Sequence, residues 1–337
     1  MQKVNDHRFD YRKFRRSPTK RNFGYGKLLS FASYIVLLWL YGYGHHQTRH
    51  VHHVRFCRFV AFLRTEFQIL DARHIRQHHL EYYAEVLGTL VALGRMKVSY
   101  AQNLLSSVNI VMHGFRKDQA VWVAPAEAVG RRSQVRTVMP GGDWEQVDNA
   151  VARLESAGNA RAAAIVVLAR AFGMRYREAV LGDLNRMRRE AAKTGYVTIL
   201  EGAKGGRRCA SRRIPIGPRQ QHALDFASSV RPNGSANLLS QDETFRRFLD
   251  TTAKTARPVL RENGIRCFHD LRAARLIELY ESISGQPAPV RGHRINSERD
   301  AQARAEVALQ SGHGEHRTSA AYIGGKPVKS YQSSQND

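Results

Sequence analysis

The chain has 337 residues, with 53 Lys and Arg against 29 Asp and Glu, a formal charge of +24 and 15 histidines. That length allows two domains with cores of their own, and the surplus calls for a polyanionic partner, because each neutralised phosphate releases a condensed counterion. Nucleic acid comes first, an anionic membrane surface second, and a merely soluble basic protein is the blander reading. The three cysteines, Cys57, Cys209 and Cys267, have no pair spacing, which excludes a disulfide framework or a Cys-based zinc motif and points to reducing cytosol.

Residues 1 to about 27 crowd Arg12, Lys13, Arg15, Arg16, Lys20 and Arg21 among few apolar anchors, so a basic arm, mobile until it meets DNA, is expected. Leu28 to Tyr43 is the most apolar run. It is shorter than the roughly 20 residues of a membrane span, carries Ser30 and Ser33, and lacks a cleavage site after it, so a buried helix is expected. His45, His46, His50, His52 and His53 have no accompanying Cys or carboxylate and read as a basic linker rather than a metal site. Three amphipathic helices then follow from apolar residues recurring at three and four. The first carries Phe56, Phe59, Val60, Leu63, Phe67 and Leu70, and the second Leu80, Tyr83, Ala84, Leu87, Leu90 and Val91. The third opens on a capping box at Ser99–Gln102 and runs to Gly114. Ala120 to Asp143 holds Pro125, Gly130, Pro140, Gly141 and Gly142 with Arg131, Arg132 and Arg136 between them, which marks an interdomain linker able to meet phosphate.

Helices are predicted over 144–156 and 160–171, the second apolar on all sides and therefore buried, with Gly173 turning the chain to place Arg175 at a helix start. Tyr196–Leu200 and Cys209–Ile216 flank a glycine-rich turn and read as a short antiparallel hairpin with Lys204 at its tip and Arg207, Arg208, Arg212 and Arg213 around it. Ser240–Glu243 reads as a capping box opening a helix that ends before Pro258. His269 and Arg272 are three apart on a helix and share a face, and His313 precedes Tyr322 by nine residues. The last residues, with Tyr331 among them, carry no core-forming pattern.

In chain order stand Gly173-Met174-Arg175-Tyr176-Arg177-Glu178, then Gly202-Ala203-Lys204-Gly205-Gly206-Arg207, His269-Asp270-Leu271-Arg272, Gly312-His313 and Tyr322. This set resembles the signature of the tyrosine recombinases, the phage and mobile-element integrases and Xer-type resolvases. His-x-x-Arg alone is commonplace; five elements in order are specific. One departure is the long interval from Arg272 to His313, where a polar stretch over 286–299 reads as a surface insertion whose Arg291, His293, Arg294 and Arg299 extend the DNA contact.

The resemblance implies a mainly α fold with a small antiparallel sheet, built as a helical N-terminal core-binding (SAM-like) domain plus an α+β catalytic domain. The expected division is a basic arm with an apolar helix over 1–49, the core-binding domain over 50–119, a basic linker over 120–142, the catalytic domain over 143–324 and a tail over 325–337. It further implies that Tyr322 attacks phosphorus to give a 3′-phosphotyrosine, that Arg175, Arg272 and His313 hold the non-bridging oxygens, that His269 accepts the phenol proton and that Lys204 protonates the leaving 5′-oxygen. Arginine suits the task because its planar fork donates to two oxygens and stays charged. Arg131, Arg132, Arg136, Arg207, Arg208, Arg212 and Arg213 are the expected DNA contacts. No metal and no cofactor are expected, since no carboxylate cluster has useful spacing and the covalent intermediate conserves bond energy; Glu178 and Asp270 read as partners of the arginines. The implied partners are double-stranded DNA attachment sites, a homotetramer on synapsed DNA and a directionality factor, with no membrane, in bacterial cytoplasm. Two other readings are a type IB topoisomerase, with similar chemistry, and a catalytically silent DNA-binding accessory protein of the same fold.

Overall fold

A computed structural model of the chain describes residues 9–203, 209–292, 297–312 and 319–325. The chain divides into two compact units, Met1–Ser133 and Gln134–Asp337. Both are dominated by helices, and the sheet has two strands.

The first unit is built on α1 (Leu29–Tyr41), α2 (His46–Phe67), α3 (Gln77–Ala92) and α4 (Val98–Arg116), with a one-turn helix α5 (Pro125–Ala128). The apolar run is α1, whose Ala32, Ile35, Val36, Leu37 and Leu38 are buried against α2 and α4. Its thirteen residues rise only about 20 Å, and no described helix is long and apolar enough to cross a membrane. Gly114 lets α4 lie directly on α1, since a Cβ there would stand 2.3 Å from Val36 Cγ1.

Three expectations for this unit are corrected. Residues 9–27 are a packed strap, because aromatic anchors are spaced among the basic residues: Phe23 and Tyr25 are buried, and Tyr11 and Phe14 pack on the same core. Asn22, at φ 47°, knots the strap to the chain before α3: its N–H donates to Asp71 Oδ1 at 2.9 Å, and its Oδ1 accepts from the Ala72 N–H at 2.8 Å. Arg16, expected to meet phosphate, instead donates to the carbonyls of Phe115 and Arg116 at the end of α4. The histidines are no linker, for α2 starts at His46. His52 stacks on Tyr41 and bonds Ser107 Oγ at 3.0 Å, and His53 bonds Ser33 Oγ at 3.1 Å, which makes them polar packing between helices. α4 starts at Val98 after Lys97, so Ser99 lies inside the helix and forms no cap.

The second unit is assembled around α7 (Ala160–Phe172). Every residue from Ala162 to Phe172 is buried, with α6 (Trp144–Ser156), α10 (Pro218–Ser229) and α13 (Phe268–Ser284) packed against it. α8 (Tyr176–Leu181) starts after Arg175 as expected, and a helix the sequence reading lacks, α9 (Leu184–Thr194), leads into β1 (Tyr196–Thr198), which pairs antiparallel with β2 (Arg213–Pro215) with Val197 opposite Ile214. α11 (Phe245–Phe248) is capped by Thr244 rather than Ser240. It continues through a π turn at Leu249–Ala253 into α12 (Lys254–Glu262), so Pro258, expected to follow the end of the helix, lies inside one. After α13, the stretch read as a surface insertion is in part folded: Ala288 is buried, Arg291 bonds Glu281 Oε1 at 2.6 Å, and α14 (Ser297–Gln310) packs along α13. α15 (Ala320–Ile323) closes a small core of Ala273, Leu276, Tyr280, Val307, Tyr322 and Ile323.

Candidate active site

Four separate segments bring charge to one place in the second unit. Gly173 ends α7 at φ 62°, a left-handed residue that aims its carbonyl into the site, and the next turn starts α8 with Arg175 as its N-cap residue. Glu178, fully buried, turns back on that cap: its Oε2 accepts the Arg175 N–H at 2.7 Å and its Oε1 accepts Arg175 Nη1 at 2.6 Å. Arg212 Nη1 lies 2.9 Å from the same Oε1, and Arg272 Nη1 lies 3.7 Å from Oε2. One carboxylate thus serves three guanidiniums.

Several of their other donors go to backbone. Arg272 Nη1 and Arg212 Nη2 donate to the Gly173 carbonyl at 2.5 and 3.1 Å, Arg212 Nε to that of Gln310 at 2.7 Å, and Arg272 and Arg175 both to that of Ser311, two residues before His313. Arg272 Nε then donates to the Tyr322 hydroxyl at 3.1 Å, and its guanidinium lies 5.3 Å from the centre of the tyrosine ring. His269 stands at the rim with its ring centre 5.4 Å from that of Tyr322.

The electrostatics follow from burial and surplus positive charge. Burial pushes the Glu178 carboxyl up, but Arg212, Arg272 and Arg175, with the Arg175 N–H, outweigh it and hold the carboxyl below the usual range, so it is ionised. Burial, then the charges of Arg212 and Arg175, push Arg272 down to about 10, against the opposing pull of Tyr322 and Glu178; it stays a cation at neutral pH. Loss of water, then Arg272 and Arg136, lowers His269 in spite of Asp270, so its imidazole is neutral at neutral pH and able to take a proton.

Of the residues singled out in the sequence, Arg175, His269, Arg272 and Tyr322 come together here. Lys204, His313, Arg207, Arg208, His293, Arg294 and Tyr331 lie outside the described residues. Gly202, at the foot of the loop that leads to Lys204, lies so close to Arg177 that a Cβ would stand 2.5 Å from its carbonyl oxygen. Of the two neighbouring arginines, Arg177 is exposed and lies over the Phe245 ring, while Arg175 enters the cluster.

Two expected surface contacts are corrected. Arg212 is 2% exposed and belongs to the Glu178 cluster, because residues 212–215 alternate inward and outward and Arg212 shares the buried face with Ile214. That alternation was the signal in the sequence that could have found it. Arg136 is not free for phosphate: its Nη2 lies 3.2 Å from Asp270 Oδ1, and its Nε donates to the Ala321 carbonyl at 3.4 Å. Arg131, Arg132 and Arg213 are exposed.

Neither a protein-family model nor a curated protein sequence matches the chain. Among solved structures, a lambda integrase dimer bound to a COC′ core site superposes with a TM-score of 0.52 at 15% identity, over 85% of this chain and 92% of that one. The fold is that of the tyrosine recombinases and integrases. A lambda integrase tetramer bound to a Holliday junction gives a TM-score of 0.51, also at 15% identity, over 87% of this chain and 77% of that one. Within this recombinase fold, the mainly helical architecture with one small antiparallel sheet is as the sequence predicted.

Proposed function

We propose that the chain is a site-specific DNA recombinase, the integrase of a mobile element, with Tyr322 as its nucleophile. The observation that carries this reading is the contact of Arg272 with the Tyr322 hydroxyl inside a cluster of three arginines that share one carboxylate. A buried surplus of guanidinium charge beside a hydroxyl suits a phosphodiester, whose transition state is more anionic than its ground state. In the proposed step, Tyr322 Oη attacks phosphorus and gives its proton to His269, which the neutral imidazole at the rim supports. A phosphorus–tyrosine bond forms, the bond to the 5′-oxygen breaks, and that oxygen leaves with a proton from Lys204. Arg175, Arg272 and His313 hold the non-bridging oxygens; Lys204 and His313 enter this scheme from the motif resemblance. A 5′-hydroxyl of a second strand then attacks the phosphotyrosine and restores the phenol, with no external energy source.

The lambda integrase structures, one a dimer on a core site and one a tetramer on a Holliday junction, support duplex DNA as the partner and a homotetramer on synapsed DNA. Residues 50–119 are proposed to clamp DNA and residues 143–324 to carry the chemistry. The test is adduct formation on nicked DNA from the ends of the source element, with wild type and Tyr322→Phe run on a denaturing gel. A protease-sensitive shifted band for wild type alone is expected. Intact DNA binding with no adduct on any end sequence would overturn the reading in favour of an accessory protein.

A further inference from the structure

The helix that carries Tyr322 is too short to hold itself. α15 spans four residues, Ala320–Ile323, so every one of its carbonyls is an end carbonyl, and a single turn is unfavourable in isolation. The turn keeps one backbone bond of its own, from the Gly324 N–H to the Ala320 carbonyl at 3.2 Å, and two arginines distant in the chain supply further partners. The backbone N–H of Arg136 donates to the Ala320 carbonyl at 3.0 Å and its Nε to the Ala321 carbonyl at 3.4 Å. The same guanidinium reaches Asp270 Oδ1 at 3.2 Å, beside His269 on α13, and its side chain is only 10% exposed. Arg304 of α14, itself buried, spans both ends of the turn. Its Nη1 lies 3.4 Å from Ser319 Oγ and 3.2 Å from the Gly324 carbonyl, and its Nη2 donates to the Gly325 carbonyl at 3.1 Å. Asp300 fixes Arg304 in turn, with Oδ2 at 2.8 Å from Nε, and accepts the Tyr280 hydroxyl at 2.7 Å.

We infer that Arg136 and Arg304 are positioning residues that together clamp the Tyr322 helix and so set the nucleophile against Arg272. Arg136 ties the tyrosine to the helix of His269 and Arg272 through Asp270, and it does so from the segment by which the chain enters the second unit. Neither arginine touches the reacting atoms. Their effect falls on alignment, where a displacement of about 1 Å can cost on the order of 10²-fold in rate. The proposal rests on the reading of Tyr322 as nucleophile.

The test uses the full chain with Arg136→Ala and Arg136→Lys, since Asp270 keeps a second guanidinium, Arg266 Nη2 at 3.4 Å, when Arg136 is lost. Three quantities are read: DNA affinity, the single-turnover rate of adduct formation at saturating nicked DNA, and amide hydrogen exchange over 319–325. For Arg136→Ala, adduct formation slowed at least about tenfold is expected. Affinity should stay within about threefold of wild type, since a positioning residue acts on alignment rather than on phosphate contact. Exchange should be faster over 319–325 and unchanged over 160–172. Arg136→Lys, able to reach Asp270 or a carbonyl but not both, should recover part of the rate. Adduct formation by Arg136→Ala at the wild-type rate, or unchanged exchange over 319–325, overturns the clamp. An affinity loss that accounts for the whole rate loss returns Arg136 to a DNA contact and overturns it as well. Absence of an adduct with wild type would sink the reading of Tyr322 instead, and the exchange measurement would still decide whether Arg136 holds the helix.

Discussion

Two of the buried arginine–carboxylate networks of the second unit differ in one respect. Around Asp300 the charges balance: one carboxylate, one guanidinium from Arg304, and a neutral hydroxyl from Tyr280, all buried. Around Glu178 they do not among the described residues, since Arg175, Arg212 and Arg272 share a single carboxylate, and the guanidiniums of Arg212 and Arg272 are almost fully buried. Charges removed from water are costly unless paired. A balanced network is complete as it stands and serves as scaffold. The unbalanced one keeps its cations on backbone carbonyls, which satisfy hydrogen bonds but supply no negative charge, and it is therefore suited to receive an anion.

The largest expected effect separates the two by their response to anions. Glu178→Gln should destabilise the second unit by about 3–5 kcal/mol, as breaking a buried pair does, and Asp300→Asn should cost a similar amount. Inorganic phosphate or vanadate should recover stability in Glu178→Gln, where three guanidiniums are left facing one another, and not in Asp300→Asn. Denaturation curves with and without the anion check this, and equal rescue of both variants would erase the distinction. The pH dependence has a definite sign. Because the folded value of Glu178 is held below its ordinary 4.5, its contribution is complete above that value and is lost as pH falls through the lowered one. Glu178→Gln should lack that acid limb.

The next effect is on rate. Arg272→Ala removes the donor to Tyr322 and should slow adduct formation about 10²–10³-fold, the usual loss for one transition-state donor, with DNA affinity retained. Single-turnover cleavage beside a binding isotherm checks it; a loss confined to affinity would make Arg272 a DNA contact.

The smallest effect is a shift in pH profile. His269 faces Arg272, Arg136, Arg175 and Asp270, and its folded value lies below 6.5. Cleavage should therefore hold through neutral pH and fall only when acid protonates the imidazole below 6.5. Stability has the same sign: the part due to His269 is complete above 6.5 and is lost as pH falls toward the folded value. In Arg136→Ala, with one of the depressing charges gone, the acid limb of cleavage should move to higher pH. An unmoved limb would mean that another group titrates.

The same contrast explains what could be read in advance. Periodicity located α6 and α7, and the left-handed Gly173 after α7 was legible because an apolar helix ended there. Residues 9–27 were misread because charge density hid five spaced aromatics. α14 was missed because its core-facing Ala303 and Val307 are small and few among polar residues.

By itself the sequence determined the order of chemistry-bearing residues, the charge surplus, the helical periodicities and the one hairpin, because these depend on local spacing and on residue types. Only the tertiary structure decided which arginines became what. Arg212 and Arg213 are adjacent and chemically identical, yet one is buried on Glu178 and the other lies exposed over the Tyr196 ring, because a strand sends neighbours to opposite faces. Arg136 and Arg304 acquire their place from partners up to 185 residues away, and no local pattern encodes a contact made only when α13, α14 and α15 pack together.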